Sequence, residues 1–351
     1  MRLGLTDDQL AIKEVFAGFF GKESTPAVVR AAEPGGFDAN LWRRVCETGA
    51  PGMGVAAGMG GGGASLGDLA VVAEEFGRNI APIPLIDHQV AARTLASLGS
   101  ARTDVTDGET IASLALRPAV DGSWWLVPGG SVAGVTIGLD GDELVAVESA
   151  PPASGPRNHA AQALADRSTT GARTVLASGD SARAAFDRAS NEWKTLTAAA
   201  LVGIGDQSLH MALDYVGTRI QFGKPIGAFQ AVQQSLADLP ILIDGGRLLA
   251  HKAAWAGDNE VAGIKGHLDI DDNDNSDFAV LAGMAFVFNA DGAAHATDRA
   301  LHFHGGYGFA EEYDIQLFYR RARGWALVYD DPSRECVRLA DAIFGPRGSA
   351  A

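Results

Sequence analysis

Apolar residues recur at helical spacing through the first hundred or so positions. Leu10, Ile12, Val15, Phe16 and Phe19 supply one face, and Thr6 ahead of Asp7 and Asp8 is a helix-start signal. Residues 54–67 are glycine-rich, with four consecutive glycines at 60–63. No strand–loop–helix context or Lys-Ser/Thr pair accompanies them, so the stretch reads as a flexible loop before a helix at 65–68, not as a phosphate cradle. From about Thr110 to Leu176 the pattern changes. Short apolar runs at 111–116, 124–127 and 132–147 alternate with Asp-Gly and Pro-Gly pairs, predicting short strands and turns. From about Ser181 long helices return. Leu209, Ala212, Leu213 and Val216 form an i, i+3, i+4, i+7 stripe. Phe229, Val232, Leu236, Leu239 and Ile243 repeat at three- and four-residue steps, and Pro240 is expected to kink or end that helix. Phe278, Leu281, Ala285 and Phe288 mark a third helix. The pattern predicts an α+β multi-domain chain: helical over 1–108, a small β domain over 109–180, and a four-helix-bundle-like domain over 181–351.

Composition narrows the classes of partner. The 351 residues suffice for two or three domains with large cores. A formal net charge of −15 argues against nucleic acid or an anionic membrane as a general partner, and any anion site must be locally basic. Cys46 and Cys336 are the only cysteines, too few for a disulfide framework or a metal-ligand cluster. The first eight residues carry no signal-peptide apolar core, and no uninterrupted apolar run is long enough to span a bilayer. The expectation is a cytoplasmic protein. The acidic stretch 269–277 hints at a calcium loop but lacks glycine at its sixth position and glutamate at its twelfth. It reads as a solvated loop, with no metal assigned.

Two segments carry candidate chemistry. Residues 219–227 place Arg219, Gly223, Pro225 and Gly227 just before a helix start at Phe229–Gln230. Arg219 offers a planar fork of donors for phosphate oxygens, the glycines permit a tight turn, and the proline stiffens it. An ordinary connection between helices with one surface arginine has the same pattern. The second segment runs from Leu301 through His302, His304, Gly305, Gly306 and Tyr307 to Tyr313, and continues to the arginines 320, 321 and 323.

Together these segments resemble the signatures of the acyl-CoA dehydrogenases, flavoenzymes that oxidise the α,β carbons of acyl-CoA thioesters. The resemblance implies FAD as cofactor and a middle β domain that covers the flavin. It implies a helical bundle that makes the oligomer contacts of a homo- or hetero-tetramer, a dimer of dimers. Arg219 and Gln230, with Phe222 in the same motif, would contact the diphosphate and adenosine of FAD, often the FAD held mainly by a neighbouring subunit. The backbone of His302 to Gly306 would approach the same cofactor, with His302 standing where the family usually has glutamine. Acyl-CoA is the implied substrate and an electron-transferring flavoprotein the implied acceptor.

Three departures matter. Leu116 runs into Trp125 without the family's glycine- and serine-rich flavin loop. The glutamate base of most members would fall at Tyr329 without a gap, or at Asp330 with one inserted residue. A minority of members carry the base on the helix that precedes the Arg219 motif, at Trp193 here, with Glu192 adjacent; a one-residue offset turns a side chain by about 100°. Asp330 is therefore the first candidate base and Glu192 the second, the latter also readable as a surface carboxylate near a helix start. Three functional readings remain open: an autonomous dehydrogenase, a scaffold without activity, and a half-site subunit of a hetero-oligomeric dehydrogenase. The third matches actinobacterial steroid- and lipid-degrading enzymes, in which a short partner lacks the base yet lends its Arg and Gly-Gly elements to the neighbour's FAD. Tyr329 at the base position would favour the half-site subunit, whereas a buried Asp330 aimed at a flavin would favour autonomy.

Overall fold

The computed structural model describes residues 4–261 and 277–345. Six helices come first: α1 (Asp7–Glu23), α2 (Pro26–Ala32), α3 (Ala39–Glu47), α4 (Leu66–Arg78), α5 (Leu85–Ser97) and the short α6 (Thr103–Thr106). Their starts follow the sequence signals. Thr6 caps α1 in a reciprocal box with Gln9, and Ser65 caps α4 in another with Asp68.

Six short strands follow: β1 (Ala112–Leu114), β2 (Ser123–Val127), β3 (Val135–Asp140), β4 (Glu143–Glu148), β5 (Ala165–Ser168) and β6 (Ala172–Ser178). Four form one sheet in the order β1-β3-β4-β6, while β2 and β5 pair separately. Strands β1 and β3 run parallel with Ala112 opposite Val135, and β3 turns directly into antiparallel β4 with Asp140 opposite Glu143. Trp124 is fully buried while Trp125 points outward, the alternation expected of a strand with one covered face. The Trp124 indole donates to the Leu139 carbonyl at 2.8 Å. Gly138 makes room for it, since a Cβ there would lie 2.6 Å from the ring.

The long helix α7 (Asp180–Thr218) is the spine of the molecule, packing against α4, α5, α9, α10 and α11. A two-stranded hairpin, β7 (Ile220–Gln221) and β8 (Lys224–Pro225), leads to α8 (Gln230–Ala237) and α9 (Leu239–Val261). Helices α10 (Phe278–Phe303), α11 (Ile315–Leu327) and α12 (Pro332–Phe344) complete the bundle. By length and composition α10 could cross a membrane, with a mean hydropathy of 1.2, but here it is a core helix packed against α7, α9, α11 and α12.

Two sequence expectations shift. Pro240 does not end a helix: the break falls at Asp238, and the proline sits in the first turn of α9, where a missing N–H costs nothing. Leu213 and Phe288 belong to apolar stripes yet are exposed, although a Cβ on Gly245 of α9 would stand 3.7 Å from the Phe288 ring. Of the acidic stretch, 269–276 lies outside the described residues. Asp277 caps α10, its carboxylate accepting from the Ala279 and Val280 amides.

Candidate functional site

At one corner of the bundle α7 ends in Arg219, whose extended backbone starts the β7–β8 hairpin. The hairpin pairs Gln221 with Lys224 across a two-residue turn. Both turn residues, Phe222 and Gly223, have positive φ, +51° and +79°, as the tight turns of hairpins require. Glycine adopts this freely, but a phenylalanine does not. The Phe222 ring is 92% exposed and meets the Phe229 ring edge-on at 6.1 Å. The Ile226 amide donates to the Arg219 carbonyl at 2.8 Å, closing the hairpin so that Gln230 opens α8 beside it.

The glycine turn abuts this hairpin. The Arg219 guanidinium lies 5.8 Å from the centre of the Tyr307 ring, which stacks on Tyr313 at 5.4 Å. His302 is exposed on the last turn of α10. His304 is buried, with Nδ1 at 2.7 Å from the Ala300 carbonyl and its ring stacked on Tyr215; it serves packing at the helix end. Gly305 has φ +61°, and a Cβ at either Gly305 or Gly306 would meet nothing within 4 Å. The fold thus brings Arg219, Phe222, Gln230, His302, Gly305 and Gly306 to one exposed corner. Open donors and bare backbone suit the diphosphate and adenosine end of FAD.

The cleft that the β region covers is different. Gly129, α4, α5, α7 and α11 surround it, and the chain fills it with its own residues 158–164. Asn158 ties this segment into a closed turn: its amide group donates to the Gln162 carbonyl at 2.8 Å and its oxygen accepts from the Gln162 amide at 3.0 Å. Two glycines seat the turn. A Cβ on Gly36 would stand 2.4 Å from Gln162, and one on Gly324 would stand 2.4 Å from Ala160. About 40 Å3 remains, room for about three waters and not for a three-ring isoalloxazine. The residues of this cleft do not fit the reactive end of a flavin.

Neither candidate carboxylate is free. Glu192 is buried in the N-terminal half of α7, which corrects the alternative reading of it as a surface carboxylate near a helix start. Arg93 of α5 grips it from two nitrogens at 2.8 and 3.2 Å, and Arg188 holds it at 3.2 Å. Asp330 lies between α11 and α12 and bonds Arg338 at 2.8 Å. Slight burial pushes its carboxyl up, but the Asp331 amide and the guanidiniums of Arg338 and Arg334 outweigh this and hold it below the usual carboxylate range. That direction is opposite to what a base working near neutrality needs.

Tyr329 packs where the gapless match put the base. Its ring stacks on Trp193 at 6.1 Å and meets the edge of Phe286 at 5.8 Å. Lys194 stands 4.6 Å from the same ring and forms a buried ion pair with Glu335 of α12 at 2.5 Å. One of these partners has a readable sequence signal, the i, i+4 spacing of Arg188 and Glu192. Arg93 and Glu335 are distant in sequence and gave none. Asp87 was also missed: it accepts from the Trp193 indole at 2.8 Å, and burial pushes its carboxyl up to about 6.

A helical layer, a small covering sheet and a bundle built on one long helix define the acyl-CoA dehydrogenase class of fold. The N-terminal domain model of the acyl-CoA dehydrogenases matches residues 6–103, and the C-terminal domain model matches residues 185–328. The chain belongs to this family of FAD-dependent oxidoreductases. It is 29% identical to the acyl-CoA dehydrogenase IpdE2 of Mycolicibacterium smegmatis over 97% of this chain and all of that protein. Its fold is similar to that of a variant of the Tcur3481–Tcur3483 steroid ACAD, at TM-score 0.80 and 26% identity, covering 98% of this chain and 99% of that one. The ChsE4–ChsE5 complex of Mycobacterium tuberculosis shares the fold at TM-score 0.83 and 21% identity, covering 99% and 100%.

Proposed function

We propose that this chain is the half-site subunit of a cytoplasmic, hetero-oligomeric acyl-CoA dehydrogenase. It offers the Arg219–Phe222 hairpin, Gln230, His302 and the Gly305–Gly306 turn to the diphosphate and adenosine of a FAD whose reactive ring lies in a neighbouring, non-identical chain. The acyl-CoA, the base that removes its α-proton and the docking of an electron-transferring flavoprotein belong to that neighbour or to the joint. FAD supplies the hydride acceptor for the β-carbon when bound; this chain's residues orient and anchor it.

One observation carries the reading: residues 158–164 and Trp193 fill the chain's own cleft, leaving about 40 Å3. The packed Tyr329 and the arginine-bound Asp330 and Glu192 agree with it. Relatives solved as pairs, Tcur3481–Tcur3483 and ChsE4–ChsE5, are in keeping with it. Autonomous α,β-dehydrogenation, with Asp330 or Glu192 as base, is the alternative that the intact Arg219 and Gly305–Gly306 motifs favour, and it requires residues 158–164 to leave the cleft.

The test is the visible absorption spectrum of the chain expressed alone and co-expressed with a related chain, before and after anaerobic addition of acyl-CoAs. The half-site reading expects a colourless lone chain and a yellow complex that bleaches. A lone chain that retains flavin and bleaches with an acyl-CoA overturns it.

A further inference from the structure

We propose that the cavity between the 54–65 loop, the C-terminal half of α5 and the N-terminal half of α7 binds a small neutral ligand made mostly of hydrocarbon. Its volume of about 470 Å3 falls within the range of about 300–1,000 Å3 typical of small-molecule sites. The apolar wall comes from three separate elements, Ala56 from the loop, Ala96 from α5, and Ala185 and Ala189 from α7, with Val55 and Met59 beside them, while Thr94 and Ser97 of α5 add hydroxyls.

Loose packing does not account for this space. Arg93 at its floor donates to the Gly54 carbonyl at 2.7 Å and lies 3.5 Å from the Ala64 carbonyl, while its other nitrogens hold Glu192. One guanidinium therefore ties both ends of the wall loop to α7 and holds the cavity open.

The charges lining the cavity are already spent on one another. Glu192 is shared by Arg93 and Arg188, Arg188 also reaches Glu260, and Asp258 accepts from the Leu66 and Gly67 amides. Among the described residues two arginines face two lining carboxylates, so these leave no unbalanced charge to fix a phosphate, a carboxylate or an ammonium group. A buried ionic head would lack a partner, whereas an alcohol or carbonyl oxygen can accept from the Arg93 guanidinium while its hydrocarbon lies on the alanines. This site lies on the opposite side of Trp193 from the filled cleft and shares no residue with the Arg219 corner. Its test is therefore separate from that of the half-site reading.

The test uses the full chain with alanine methyl groups labelled for NMR. Three probes with one hydrocarbon tail are titrated: 1-octanol, octanoate and octylamine. Saturable shifts at Ala96, Ala185 and Ala189 are expected with 1-octanol, at least about tenfold tighter than with either charged probe. Ala185→Leu, which fills the cavity from a partly exposed position, should weaken 1-octanol about tenfold or more. Ala56→Leu on the exposed loop gives the same reading if the first variant does not fold. Absence of saturable shifts, equal or tighter binding of a charged probe, or undiminished binding in the filled variants overturns the proposal.

Discussion

Asp87→Asn isolates the electrostatic cost of the filled cleft. Asp87 stands in the first turn of α5, lines the closed cleft that Arg321 also lines, and accepts one side-chain hydrogen bond, from Trp193. Burial raises its carboxyl from 3.8 to about 6. A carboxyl raised on folding holds its proton in the native state while the unfolded chain has lost it. Stability from this group is therefore fully present below pH 3.8 and is lost as pH rises through about 6. At 1.36 kcal/mol per unit, the full loss is about 3 kcal/mol, of which about 1.4 kcal/mol falls between pH 5 and pH 8. Asparagine cannot ionise, and its oxygen can still accept from the indole. His88, whose ring burial lowers from 6.5 to about 4, tilts stability the opposite way, but it does so in both proteins and cancels in their difference. Urea unfolding at pH 5, 6, 7 and 8 should therefore show Asp87→Asn gaining on the parent as pH rises, by about 1.4 kcal/mol across the range, whatever constant offset the changed hydrogen bond introduces. A difference that stays flat, or that shrinks with pH, refutes the view that Asp87 is held in a closed, poorly solvated cleft.

Further outcomes follow from the same geometry. Glu192→Gln should destabilise the chain by about 3 kcal/mol in urea unfolding, because Arg93 and Arg188 lose a mostly buried partner. Asp330→Asn, at a partly exposed position, should change turnover of the assembled enzyme by less than about threefold, since a lost general base costs about a hundredfold or more. Lys194→Met should cost about 1.5–3 kcal/mol in urea unfolding, since Glu335 loses its buried ammonium partner but keeps Arg338 at 2.6 Å. Phe222→Gly removes a side chain from a positive-φ turn. It should leave lone-chain stability within about 1 kcal/mol of the parent while lowering the flavin content of the co-expressed complex.

Much of the architecture was legible because local chemistry and tertiary packing agree. Thr6 and Ser65 announce helix starts and cap them, and the Asp-Gly punctuation of the middle region does separate short strands. The Arg219 and Gly305–Gly306 segments also come together, with Arg219 beside the Tyr307 ring. What sequence could not give was distance across the chain. Nothing in the composition of 158–164 says that it folds back onto Gly36 and Gly324. Nor does periodicity reveal that Glu192 meets an arginine from α5, or that Tyr329 stacks on Trp193. Leu213 and Phe288 show the complementary limit: an apolar stripe identifies a face worth covering without saying whether this chain covers it.

The two regions differ in where their unusual residues find an explanation. Around the filled cleft most oddities are answered within the chain, although Gln162 Oε1, Arg321 Nη2 and Trp325 Nε1 are buried there without a hydrogen-bond partner among the described residues. The glycines at 36 and 324 seat Gln162 and Ala160, the tryptophan at 193 meets Asp87 and Tyr329, and the misplaced glutamate at 192 has two arginines. At the Arg219 corner no such answer exists among the described residues. Gly306 needs neither a positive φ nor the space that a methyl group would take. Phe222 adopts a backbone that disfavours it and leaves its ring in solvent. Features that cost stability and gain nothing within a fold mark functional contacts. They are in keeping with the proposed half-site role, in which Arg219, Phe222 and Gly306 would contact a FAD held by a neighbouring chain.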